Sequence, residues 1–223
     1  MRIDFYGDLI CPWCHLGWRR LQAALVQRQG NNTAIEVRWR PYQLNPDLPV
    51  NGIDRSEYLL RKFGNAERVR EVLHAIETAM RADGIHVNLH RIKTASNTYL
   101  AHRLMMLAEQ AAVTDALMSE FFIAYFVMGK DIGDPQVLRE LAHATKLPLA
   151  KVEVEMTSQV PHPDIAQSEL EARQIGIRAV PYFLFDGRYS IAGAHDPIAF
   201  LPLVDLCALM EKAETVTAPG ATG

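Results

Sequence analysis

The sequence predicts an α/β fold interrupted by a large all-helical insertion, and three observations lead to it. Strand-like alternation at residues 2–7 and 34–42 brackets a helical run. From about residue 50 to about 160 the apolar residues recur only at helical spacing. Strand character then returns at Pro181 and closes in a hairpin.

The elements follow in order. Arg2–Gly7 alternates between turn formers and reads as a short strand. Cys11-Pro12-Trp13-Cys14 opens a helix to about Gly30, because proline suits a first turn whose N–H has no partner anyway. Leu16, Leu21, Ala24 and Leu25 supply its inward stripe, and Gly30-Asn31-Asn32 ends it. Ile35, Val37 and Trp39 share one face of a second strand over 34–42. Pro41, Pro46 and Pro49 mark a loop. Helices are predicted around Val69–Met80, over Ala95–Ala112 and Asp115–Met128, from Asp134-Pro135, and from Asp164 to Gly176. Pro181–Asp186 is a third strand, Asp186-Gly187 a hairpin turn, and Arg188–Ala192 the returning strand. Asp196-Pro197 starts a last helix ending near Lys212. Residues 1–50 and 160–213 therefore form one unit, 51–159 a helical insertion without a sheet of its own, and 214–223 a disordered tail rich in Ala, Pro, Gly and Thr.

Composition narrows the function. Among 223 residues, 23 Lys+Arg face 26 Asp+Glu, and the net charge of −3 gives no electrostatic pull toward nucleic acid or anionic membrane. No apolar run approaches the ~18 residues of a membrane span. The segment before Cys11 is too short and polar for a signal-peptide core. A cytoplasmic location follows as the expectation, and there thiols stay reduced.

Two of the three cysteines nevertheless lie three residues apart, at the end of a predicted strand and the start of a predicted helix. Unpaired N–H groups and the helix dipole at that point stabilise an anion, so a Cys11 thiolate should form below the ~8.5 of a free cysteine. Cys14 then sits on the same face of the first turn as the resolving thiol. Competing chemistries fit less well. Zinc needs four ligands at a spacing that Cys207 and the scattered histidines do not supply, so no metal is expected. Cys11 to His15 matches a haem-attachment string but lacks an export signal. Two inert structural cysteines remain an alternative to a redox-active dithiol. Val180-Pro181 opens the third strand; a cis bond there would bring the Val180 backbone beside the dithiol, although only ~5–6% of such bonds are cis.

The strings Cys11-Pro12-Trp13-Cys14, Asn97-Thr98 with Ala101-His102-Arg103, Ala124-Tyr125-Phe126 with Asp131-Ile132, Asp134-Pro135, Val180-Pro181-Tyr182-Phe183, Phe185-Asp186-Gly187 and Gly193-Ala194 span almost the whole chain. In combination they resemble the thioredoxin fold in its DsbA-like form, and within it the FrnE-like subgroup. The resemblance implies a thiol–disulfide oxidoreductase acting through Cys11 and Cys14, with Pro181 cis, and with Pro12, Trp13, Val180 and Pro181 contacting substrate. Its substrate is a thiol or disulfide, on a protein or a small molecule. It needs no cofactor beyond its own redox-active disulfide. Related 2-hydroxychromene-2-carboxylate isomerases and kappa-class glutathione transferases share the insertion and use glutathione. They imply the alternative of a glutathione-dependent isomerase or transferase acting on small aromatic or polyketide-like molecules, but generally carry serine where Cys11 stands. His15 departs from the tyrosine common near this subgroup, and as a neighbour of the resolving cysteine is a candidate for tuning its potential.

Other residues carry two readings each. Asp8 is either a proton relay to the cysteines or a loop acid bonded to backbone amides, and its charge would oppose a thiolate. Trp13 is expected to be exposed and to contact partners. His102, with Asn97 and Arg103, reads better as a structural histidine, and Cys207 as a buried, inert thiol. Met105, Met106, Phe121, Phe122, Tyr125 and Phe126 read as core of the insertion, whose apolar character makes a homodimer plausible.

Overall fold

The computed structural model describes the backbone of residues 1–28 and 34–217 and the side chains up to Met210. The chain runs β1 (Arg2–Gly7), α1 (Pro12–Gln27), β2 (Glu36–Pro41), β3 (Ile53–Asp54), α2 (Arg55–Phe63), α3 (Ala66–Ala82), β4 (Thr94–Ala95) and α4 (Tyr99–Gln110). It continues with α5 (Thr114–Phe122), α6 (Pro135–Ala144), α7 (Leu149–Thr157), α8 (Pro163–Gln174), β5 (Tyr182–Phe185), β6 (Tyr189–Ala192) and α9 (Pro197–Thr217).

Four strands from the two ends of the chain build one sheet in the order β2-β1-β5-β6. β1 runs parallel to β2, with Phe5 opposite Trp39, and antiparallel to β5, with Phe5 opposite Phe183. This register puts three large rings on neighbouring strands of one face. Phe5 stacks on Phe183 at 4.7 Å and on Trp18 of α1 at 5.8 Å, and meets Trp39 edge-on at 5.1 Å. All four are buried, and each aromatic side chain removed from water contributes about 1.5–3 kcal/mol. The ring cluster therefore fixes the start of α1 over the C-terminal end of β1.

The insertion departs from expectation in three places. It is not free of sheet: Ile53 pairs with Ala95 and Asp54 with Thr94 in a two-stranded ladder. The helix expected from Ala95 consequently starts at Tyr99, whose N–H is capped by the Asn97 side chain at 2.9 Å. The helix expected over Asp115–Met128 changes pitch. α5 ends at Phe122, and a π-helical turn over Ile123–Val127 turns Ala124, Tyr125 and Phe126 into the core. Its Phe126 carbonyl accepts the Asn88 N–H at 2.7 Å.

At the C-terminus α9 runs to Thr217, past Lys212 and into the stretch expected to be disordered. Ala213 to Thr217 holds no helix breaker, and the first one beyond it is Pro219. The predicted stop at Gly30-Asn31-Asn32 and residues 218–223 of the tail lie outside the described residues. No helix among the described residues is long and apolar enough to cross a membrane.

Candidate active site

β1 ends at Gly7, and after three intervening residues the chain turns into α1 with Cys11 as N-cap and Pro12 in the first helical turn. The Cys11 N–H donates to the Asp8 carbonyl at 3.0 Å, and its own carbonyl accepts from the Cys14 N–H at 3.0 Å. Cys11 has no side-chain cap, and its sulfur sits at the end of α1 beside the backbone N–H groups of Trp13 and Cys14. Both thiols are free and buried. The Cys14 thiol donates to the Cys11 sulfur, and this is the main reason Cys11 ionises below the ordinary cysteine value. Backbone N–H groups of Cys14 and Trp13 add to the effect, while burial and the Asp8 charge oppose it. Cys14 is pushed well above the ordinary value by burial and by its bond to Cys11. One sulfur is thus prepared as the anion and the other kept protonated.

The Val180–Pro181 bond is cis. The Cys11 Sγ lies 3.7 Å from the Val180 carbonyl, which accepts from it. Gly17, which sequence reasoning passed over, makes this approach feasible. A Cβ there would fall 2.9 Å from Pro181 Cγ and 3.2 Å from the Phe183 ring. The available signal was a glycine inside a helical pattern. Trp13, between the cysteines, is 38% exposed while Cys11 is 4% exposed.

Asp8 is fully buried. One carboxylate oxygen accepts the Leu44 N–H at 2.7 Å, and the other faces His102 Nε2 at 3.4 Å. His102, on α4, lies between Asp8 and the sheet: its Nδ1 accepts from Nε1 of Trp39, on β2, at 3.3 Å. His15 turns away from the cysteines and stacks on Phe122 at 4.6 Å and Phe126 at 5.7 Å. Burial, with Arg19 nearby, lowers its pKa to about 4, so at neutral pH it brings no charge to the site. Arg103 pairs with Glu155 at 2.8 Å within the insertion, and Asn97 donates to the Leu48 carbonyl in the loop before it. Cys207, on α9, is buried, and burial with Asp186 raises its thiol to about 11. Among the described residues no cluster of three His, Cys, Asp or Glu is placed to hold a metal ion.

A sheet of this order, a dithiol at the head of the first helix and a cis-proline against the first sulfur define a thioredoxin-type fold with a helical insertion. The family profile described as DSBA-like thioredoxin domain matches residues 2–203, and the chain belongs to that family. Among solved structures it is similar to a probable DsbA oxidoreductase, SCO1869 from Streptomyces coelicolor, with 26% identity, a TM-score of 0.83 and coverage of 93% of this chain and 90% of that one. Two more distant structures share the fold. One is the cytosolic disulfide reductase DsbM from Pseudomonas aeruginosa, crystallised with GSH, with 18% identity, TM-score 0.62 and coverage of 96% and 100%. The other is a 2-hydroxychromene-2-carboxylate isomerase, with 14% identity, TM-score 0.61 and coverage of 98% and 100%.

Proposed function

We propose that the protein exchanges disulfides through Cys11 and Cys14. The observation that carries the reading is the single junction at which the Cys11 sulfur meets a Cys14 thiol donor, the start of α1 and the Val180 carbonyl. The Cys11 thiolate attacks one sulfur of a substrate disulfide, forms a mixed disulfide and expels the other sulfur as a thiolate. Cys14 then loses its proton and attacks Cys11 Sγ. This step releases the second substrate thiolate and leaves a Cys11–Cys14 disulfide, so two electrons pass from protein to substrate. An external thiol reductant restores the dithiol, and the reverse sequence oxidises a substrate dithiol. The Val180 backbone and Trp13 flank the sulfur and are the substrate contacts in this scheme. The dithiol carries the electrons without a bound cofactor, and a cytoplasmic location suits a pair kept reduced. The retained cysteine at position 11 favours this scheme over a glutathione-dependent isomerase or transferase.

The test equilibrates the protein in glutathione buffers of varied ratio, followed by acid quench, alkylation and mass readout. The expected result is a reversible intramolecular disulfide between Cys11 and Cys14, with loss of insulin reduction on Cys11→Ser. Cysteines that never couple, or a Cys11→Ser protein of unchanged activity, would overturn the assignment.

A further inference from the structure

A cavity of about 160 Å³ lies between α1 and the insertion, and none of Cys11, Cys14, Val180 and Pro181 lines it. Its walls differ in chemistry. α1 contributes His15, Trp18 and Arg19, which at spacings of three and four residues share one helix face. The insertion contributes Ile85, Phe122 and Ile123, all apolar. Ile123 belongs to the π-helical turn, a device that recurs at functional sites. It is 42% exposed and marks the side open to solvent.

The nitrogen-bearing wall is short of acceptors. Trp18 Nε1 and His15 Nδ1 are buried, and among the described residues neither makes a hydrogen bond. An indole nitrogen only donates, and a buried donor without a partner costs about 1–3 kcal/mol. Arg19 is exposed and has no ion pair among the described residues, while the Asp83 carboxylate is held by its neighbour Arg20. His15 stays neutral above its pKa of about 4, lowered by burial and by the Arg19 charge. Arg19 therefore supplies the positive charge at this cavity, and an anionic oxygen is what the α1 wall lacks.

We propose that the cavity is a binding site for a small aromatic carboxylate, its ring against Ile85, Phe122 and Ile123 and its carboxylate turned to the α1 nitrogens. An apolar cavity of about 150 Å³ takes one benzene ring, so the space here holds a single ring. Phe122 already stacks on His15 at 4.6 Å and offers an aromatic surface beside it. The carboxylate accepts from the Arg19 guanidinium and the Trp18 indole, and hydrogen bonds to an ionised group are about twice as strong as neutral ones. A ring without the charge leaves the donors unmet, and an anion without the ring leaves the apolar wall wet. The site is separate from the dithiol and does not depend on the disulfide-exchange reading.

The experiment titrates sodium benzoate into the reduced full-length protein at neutral pH, read by calorimetry and by the indole N–H NMR signals. The expected Kd is about 0.1–1 mM, with the Trp18 signal moved further than those of Trp13 and Trp39. Toluene, the ring without the charge, and acetate, the charge without the ring, should each bind about tenfold more weakly or worse. Arg19→Gln, at an exposed position, should weaken benzoate about tenfold. Ser119→Phe fills the cavity from its wall and should abolish binding. If that variant does not fold, Ile123→Glu takes its place, since its exposed carboxylate repels the ligand's. No binding up to about 10 mM benzoate, equal affinity for toluene or acetate, or unchanged binding in Arg19→Gln or in the filled cavity would each overturn the proposal. The titration involves no disulfide, so its outcome is separate from that of the insulin assay.

Discussion

His15 is adjacent to the resolving cysteine in sequence, yet its ring points into the insertion, against Phe122 and Phe126. Its pKa of about 4 has a cost on acidification. The unfolded chain protonates this histidine below about pH 6.5, whereas the folded protein resists until about pH 4. Stability is therefore unaffected above pH 7, is lost as the pH falls through that window and levels off below it. At pH 5 the loss from this group is about 2 kcal/mol. His15→Phe keeps the stack and removes the titration, so urea unfolding at pH 7 and pH 5 should show a smaller drop for the variant by about that amount. An equal drop in both proteins would assign the acid sensitivity elsewhere. The placement of Cys11 and Cys14 at a strand-to-helix junction was legible from the sequence. The direction of the His15 ring was not, because it depends on Phe122 and Phe126, more than a hundred residues away.

At the level of elements, α1 is the part on which the site depends, and Gly17 is where it passes Pro181 with no room for a side chain. Gly17→Ala gains about 1 kcal/mol of helix propensity but forces a methyl against the rigid Pro181 ring. Overpacking of this kind costs about 1–3 kcal/mol, so the expected net effect is a Tm lowered by roughly 2–4 °C, with slower insulin reduction. A variant with raised Tm and full activity would show that Pro181 retreats freely. Strands β1, β2, β5 and β6 and the proline-led starts of α1, α6 and α9 were readable, because two-residue alternation, Asp-Gly and a proline in the first helical turn act locally. The β3–β4 ladder and the π-helical turn were not. Two residues on each side carry no periodicity, and the extra residue in the π-helical turn answers to the pairing of Asn88 with Phe126.

Across the whole molecule, the insertion and the sheet are joined by a few polar bridges at the site's margins. Arg20 of α1 is the most connected. It forms a fork on Asp83, after α3, at 2.5 and 2.7 Å, and donates to the Ala194 carbonyl, after β6, at 2.7 Å. Arg20→Ala removes three charge-assisted bonds from a mostly shielded position and should cost about 2 kcal/mol. Hydrogen exchange should rise first at the α3 end and the 193–196 loop. Uniform protection with an unchanged unfolding midpoint would show that apolar packing alone joins the two parts. The interrupted α/β arrangement was visible because strand signals occur only near the two ends of the chain. Asp8, His102 and Trp39 were each noticed singly, but their meeting was not, since it requires α4 to lie across β2.

The sheet pairs the first strand of the chain with strands near its end, and the Cys11 sulfur rests on a carbonyl 169 residues downstream. During synthesis at ~5–20 residues per second, the dithiol therefore leaves the ribosome roughly 10–30 s before its cover exists. For that interval the nascent chain presents two neighbouring thiols with neither Val180 nor Pro181 beside them, open to any oxidant nearby. A protein built this way is safest when translated where glutathione is plentiful.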